Sequence, residues 1–171
     1  MPRYAGEMDL SAYFQMLARY NRVANERLYA CCAALEEEEY RKPRAGSFGC
    51  IHGLLNHLLL GDRVWMARFE GGGPGTPALD TVISEDFAAL RAARAEEDAR
   101  IERFFNSVYE AFFARSFAYL NHQGKPYVEM APVAVAHFFN HQTHHRGQVH
   151  VMLSQAGVAP PSLDLHRILN P

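Results

Sequence analysis

His137-Phe-Phe-Asn-His141-Gln-Thr-His144-His145-Arg146-Gly147-Gln148 places four of the chain's nine histidines within nine residues. The segment reads as helix. Pro132 suits a first helical turn and Gly157 a stop, so the helix is predicted from about Pro132 to about Ala156. At ~100° per residue, His137, His141, His144, His145 and Gln148 fall within a sector of roughly 100°, and Ala134 and Met152 lie on the same stripe. Polar rings on a core-facing stripe cost on the order of 1–3 kcal/mol each if they lack partners. A metal ion would satisfy them. His141 and His145 are one turn apart on one face, so two imidazoles can grip one ion. The pairs His137/His141 and His141/His144 are equally feasible at this level, and His141 belongs to all three.

A mononuclear site needs a ligand from elsewhere. The best candidate is His57 in Leu54-Leu-Asn-His57-Leu-Leu-Leu-Gly-Asp62-Arg-Val-Trp65, on an inward stripe with Leu54, Leu58, Gly61 and Trp65. Metal sites in helical bundles are built in this way, from side chains on facing helices. Three neutral imidazoles suit Zn2+, Ni2+, Cu2+ or Fe2+, and three protein ligands leave a position for water or substrate. Asn140 and Gln148 could orient a ligand ring through its other nitrogen. Gly147 points to a close helix contact or to room beside the site. Arg146 lies off the stripe, as a surface residue or the partner of an acid at the rim. Asp62 reads as a helix contact or as an acceptor behind a ligand. His52, His122, His150 and His166 do not share the stripe.

Outward from these two segments, Asp9 can cap a first helix, in which Leu10, Phe14, Leu17, Ala24 and Leu28 recur at helical spacing to about Leu35. Residues 1–8 read as a loose N-terminus. Glu36 to Glu39 then reads as a solvated, fraying helix end, because acids there oppose the macrodipole. Ser47 opens a second helix through Phe69, and Gly71–Pro77 is a connector. A phosphate-binding reading of those glycines fails, since a helix precedes them and two prolines remove backbone donors. Ser84 reads as the N-cap of a third helix running to about Tyr109. Phe117–Met130 is predicted as a small hairpin around His122-Gln-Gly124. The prolines after Gly157 predict an extended tail. The expected architecture is all-α, one domain over residues 1–171: a four-helix bundle with a small β-hairpin before the last long helix.

The chain has 171 residues, a net charge of −2 and only two lysines, Lys42 and Lys125. No basic cluster exists to attract a polyanion, which argues against nucleic-acid binding. Apolar runs are far too short for a membrane span, and no signal-peptide pattern is apparent. Cys31, Cys32 and Cys50 imply no disulfide framework and fit a cytoplasmic setting. His-Glu-x-x-His, Glu-x-x-His, Cys-x-x-Cys-His and Gly-x-Ser-x-Gly are all absent, which disfavours a zincin, a ferritin-like di-iron centre, covalent haem and an α/β-hydrolase.

Asn56-His57-Leu-Leu-Leu-Gly-Asp62-Arg-Val-Trp65, Asn140-His141-Gln-Thr-His144-His145-Arg146-Gly147-Gln148 and Gly157-Val-Ala-Pro160-Pro161-Ser-Leu163-Asp164-Leu165 together resemble the DinB-like family of the wider DinB/YfiT-like metalloenzyme superfamily. Their order spans nearly the whole chain. The resemblance implies a bundle with one divalent metal, expected to be Zn2+ or Ni2+ with Fe2+ or Mn2+ as alternatives. Its ligands would be His57, His141 and His145. It also implies a homodimer, with which the aromatic first helix (Tyr13, Phe14, Tyr20) is consistent. The implied activity is metal-dependent, a thiol S-transferase acting on a small electrophile with a low-molecular-weight thiol. The alternatives are a metal-dependent hydrolase and a non-catalytic metal-binding bundle with a fourth ligand such as His137 or His144. A metal-free bundle with hydrogen-bonded core histidines is the remaining reading.

Overall fold

The computed structural model describes residues 9–72 and 77–170; the expected N-terminal tail and the middle of the expected glycine-rich connector lie outside them. Four long helices carry the structure: α1 (Leu10–Cys32), α3 (Ile51–Phe69), α4 (Phe87–Ser107) and α6 (Ala131–Gln155). Three short helices, α2 (Glu37–Arg41), α5 (Glu110–Phe113) and α7 (Leu165–Leu169), and an antiparallel hairpin of β1 (Ser116–Leu120) and β2 (Pro126–Met130) fill the links and the tail. α1 packs on α4 and α6, and α3 on the same two, so the long helices close a ring in the order α1, α4, α3, α6. No helix among the described residues is long and apolar enough to cross a membrane.

The local chemistry accounts for most boundaries. Asp9 Oδ1 accepts from the Ala12 amide at 2.7 Å and caps α1. Gly157, at φ +75°, ends α6 in a Schellman motif: Val158 N–H donates to Leu153 O and Gly157 N–H to Ser154 O. In the hairpin, Phe117 pairs with Glu129 and Tyr119 with Tyr127. Asn121 Oδ1 accepts from the Gln123 and Lys125 amides, both at 2.9 Å, and closes the turn.

Several boundaries depart from expectation. α1 stops at Cys32, and the acidic run does not fray from it. Glu37, Glu38 and Glu39 instead form the first turn of α2, where acids favour the helix dipole, and Lys42 and Arg44 pair with Glu39. α3 begins at Ile51 with Cys50 as its cap, not at Ser47. The cap of α4 is Asp86, whose Oδ1 accepts from Ala89 N–H at 2.7 Å, not Ser84. The tail is not wholly extended: α7 docks Ile168 against Tyr20 and Ala24.

The core has two apolar halves. One is largely aromatic, with Phe14, Phe69, Phe105 and Phe138. The other is aliphatic, with Leu28, Leu54, Leu58, Leu90 and Met152. Between them, on all four long helices, lies a layer of buried polar side chains: Asn21 and Asn25, Asp62, Arg94 and Asp98, Gln142 and Arg146.

Candidate metal centre

His57, His141 and His145 converge at the α3–α6 contact, level with that polar layer. One ring nitrogen from each lies within 4.8 Å of the others, and among the described residues no further His, Cys, Asp or Glu joins the group. His57 Nε2 is 3.1 Å from His141 Nε2. The ring centroids of His141 and His145 are 4.5 Å apart, as one helical turn dictates.

Two of the rings are fixed from behind. His57 Nδ1 is 2.8 Å from the Leu79 carbonyl oxygen. A carbonyl can only accept, so Nδ1 carries the proton and Nε2 presents a lone pair to the cluster. His145 Nδ1 donates to Gln148 Oε1 at 2.7 Å, which fixes its tautomer in the same sense. Asn56 supplies the Leu79 carbonyl indirectly. Its Oδ1 accepts from the Ile83 and Ser84 amides at 2.8 and 3.0 Å and pins the segment after the connector onto α3.

Burial holds all three imidazoles below their ordinary pKa, because desolvation disfavours the cation. His141 is pushed down to about 3 by burial, with its His145 and His57 neighbours adding to the effect. The rings are therefore neutral at pH 7, the state in which imidazole binds metal.

Backbone choices make room for the cluster. A Cβ on Gly61 would sit 3.0 Å from His141 Cε1, so glycine at this helical position lets His141 lie against α3. Phe48 adopts φ +61°, and its ring stacks on His57 with centroids 3.7 Å apart. A Cβ on Gly53 would collide with the Phe48 carbonyl oxygen, so Gly53 permits that turn. The cluster opens into a pocket of about 450 Å3 whose walls include Phe48, Trp65, Arg68, His122 and His137.

A profile of one protein family spans residues 8–171. The chain belongs to the DinB family. It is similar to Protein DinB of Bacillus subtilis (strain 168), with 26% identity over 167 residues, 91% of this chain and 92% of that protein. A solved DinB-like protein from Bacillus cereus shares the fold, with a TM-score of 0.61 at 17% identity, covering 81% of this chain and 89% of that one.

In this DinB-family chain the three histidines singled out from the sequence lie together, with His141 and His145 as the α6 members of the group. His137 and His144 are exposed: His137 packs edge-on against Trp65, and His144 lies 3.4 Å from Gln148 Nε2. Arg146 corrects the sequence expectation. It is 2% exposed, bonded to Asn21, to Asn25 Oδ1 at 3.2 Å and to Gln142 Oε1 at 3.4 Å. Asp62 serves as a helix contact, pairing with Arg94 at 2.6 Å and accepting from Gln142. Gly147 has no neighbour within 4 Å of where a Cβ would be, so no close helix contact explains it. Two histidines set aside from the sequence matter structurally. His52 is buried beside the Tyr40 hydroxyl, and His122, in the hairpin turn, lines the pocket. Phe48 and the Leu79 carbonyl carried no sequence signal, since one depends on a positive φ and the other on a backbone atom.

Proposed function

We propose that this chain is a divalent-metal-dependent enzyme whose ion is held by His57, His141 and His145, and that its reaction is transfer of a low-molecular-weight thiol to a small electrophile. One observation carries the reading: two lone pairs, on His57 and His145, are turned into the cluster by acceptors behind the rings, and His141 completes the group. The donor set fits a borderline ion such as Zn2+ or Ni2+. Bound there, the ion supplies Lewis acidity, lowering the pKa of a thiol or water so that the anion is available at neutral pH.

The chain's own residues do the remaining work. Leu79 and Gln148 keep two imidazoles in the ligating tautomer. Phe48 covers His57 and Trp65 walls the pocket, which limits water around the cluster. The three-histidine group has no fourth protein donor among the described residues, which favours an open coordination position over a closed structural site. Metal-dependent hydrolysis uses the same arrangement with water in place of thiol. A homodimer belongs to the same reading through the family resemblance. Phe14 and Tyr20 do not contribute to it, since both are buried within the monomer.

The test is elemental analysis of untagged protein beside His141→Ala, followed by turnover of a reactive electrophile with and without bacillithiol, mycothiol or glutathione. The expected result is near one equivalent of metal, lost in the variant, and turnover that requires both metal and thiol. Thiol-independent turnover would assign hydrolysis. A parent that neither carries nor takes up Zn2+ or Ni2+ removes the proposal.

A further inference from the structure

α3 and α6 share a groove that runs away from the histidine cluster. α3 lines the pocket of about 450 Å3 with His57, Leu60, Gly61, Val64, Trp65 and Arg68, which are spaced as one helical face. α6 answers with His137, His141 and His145, each one turn from the next. His57 Nε2 is 3.1 Å from His141 Nε2, and the Trp65 and His137 ring centroids are 5.2 Å apart. Trp65 follows His57 on α3, whereas His137 precedes His141 on α6. The two helices are therefore antiparallel here, with the cluster at one end of the groove and the Trp65–His137 pair further along it.

The walls between are apolar. Leu60 and Val64 contribute from α3, Leu79 from the link after it, and Phe48 stacks on His57 beside the cluster. Among the described residues the lining holds no Asp or Glu, so no carboxylate is present to receive an organic cation, and a bound divalent metal would repel one. The Arg68 guanidinium carbon lies 4.6 Å from the Trp65 ring centroid and 4.1 Å from that of Tyr119, and Nη2 donates to Leu120 O at 3.1 Å. A charged group laid against Leu60, Val64 and Leu79 gives up hydration that these side chains do not replace. An alkyl or aryl group gives up nothing there and gains the burial of its own surface.

We propose that the groove takes an uncharged hydrophobic small molecule, with its donor or reacting end at His57, His141 and His145 and its alkyl or aryl body along Leu60, Val64 and Trp65. The assignment rests on the metal reading above and narrows its substrate class to neutral, apolar compounds. Val64, half-buried on the groove face and outside the histidine group, is a specificity-determining residue in this scheme.

Trp65 is the chain's sole tryptophan and lines the groove, so its fluorescence reports occupancy, and calorimetry reads affinity. Zn2+-loaded full-length protein, its metal content measured separately, is titrated with ethanethiol, 1-butanethiol and 1-hexanethiol, and with 6-mercapto-1-hexanol and 6-mercaptohexanoate. Every probe offers the metal the same thiol, so the set varies only the group in the groove. Affinity is expected to rise about fourfold per added methylene. A distal hydroxyl or carboxylate should weaken binding about tenfold or more against 1-hexanethiol. Val64→Phe fills the groove and should flatten the rise with chain length, leaving Zn2+ stoichiometry and ethanethiol affinity unchanged. If that variant fails to fold by circular dichroism, the similarly shaped Val64→Thr takes its place, with a loss confined to the longer thiols. Affinity independent of chain length, a distal carboxylate that binds as tightly as the methyl end, or a rise that survives substitution of Val64 would each overturn the proposal. A protein that takes up no Zn2+ defeats the metal reading alone; 1-hexanol against 1,6-hexanediol on metal-free protein then decides the groove by the same criteria.

Discussion

Two polar clusters share one level of this bundle, and they are completed differently. The buried layer of Asp62, Arg94, Asp98 and Arg146, with Asn21, Asn25 and Gln142, balances two carboxylates against two guanidiniums. Asp62 meets Arg94 at 2.6 Å, Arg94 Nη2 lies 3.0 Å from Asp98 Oδ1, and Asn25 donates to Asp98 at 2.9 Å. Gln142 joins Asp62 to Arg146. The histidine cluster, whose residues His141 and His145 each immediately precede a member of that layer on α6, is not balanced in this way. His57 and His145 turn lone pairs inward, and no acid lies among the cluster's members. One cluster is charge-balanced within the protein itself, and the other is a group that could hold a cation. Polar groups in a core thus have two physical justifications, internal neutralisation or an external ligand, and the direction of the lone pairs and protons distinguishes them.

The sharpest way to break the comparison is Asp62→Ala. It strands Arg94 beside a single acid and removes Gln142's partner, so the protein is expected to lose about 3–5 kcal/mol of stability in denaturant unfolding. His141→Ala should cost far less stability, while removing the metal. If Asp62→Ala proves as mild as His141→Ala, the layer is not the self-contained unit described. Gly61→Ala gives a smaller and two-sided effect. Alanine in a helix interior favours the metal-free fold by up to ~1 kcal/mol. Its Cβ crowds His141, so metal affinity should fall about tenfold or more. Calorimetric titration with Zn2+ reads the second effect, and an unchanged affinity would show that His141 can give way.

In pH dependence the two clusters have opposite signs. Folding lowers the pKa of His141 from 6.5 to about 3, chiefly through burial. The stability of metal-free protein from that neutral ring is fully present above pH 6.5 and is lost as pH falls toward 3. Folding raises Asp98 from 3.8 to about 6, because burial outweighs the adjacent Arg94. Its contribution is fully present below pH 3.8 and is lost as pH rises through about 6. Urea unfolding of metal-free protein across pH 3–7 should show His141→Gln reducing the acid loss and Asp98→Asn removing the opposing decline. The same sign in both variants would mean that the two clusters titrate as one.

Much of this was legible in the chain. Helical spacing, Asp9, Pro132 and Gly157 located the long helices to within a few residues, because caps and stops act locally. The hairpin was legible from two β-prone pieces around His122-Gln-Gly124. The short helices α5 and α7 were not, since each is held by tertiary contacts such as Ile168 on Tyr20 and Ala24 rather than by a repeat of its own. Arg146 was misplaced for a related reason. It lies off the histidine stripe, but a bundle helix with two neighbours buries more than one stripe, and α6 faces α1 as well as α3.

The sequence by itself determined the helices, their inward stripes and the presence of a histidine-rich face, because these follow from local periodicity and side-chain chemistry. Tertiary structure alone decided which histidines meet. It set His57 3.1 Å from His141, brought the Leu79 carbonyl behind one ring, turned Phe48 to φ +61° over the cluster, and placed the Arg68 guanidinium against the rings of Trp65 and Tyr119. Those contacts join residues far apart in the chain, or depend on backbone atoms and dihedral angles. They become defined only when α3 and α6 pack and the link after α3 is pinned by Asn56.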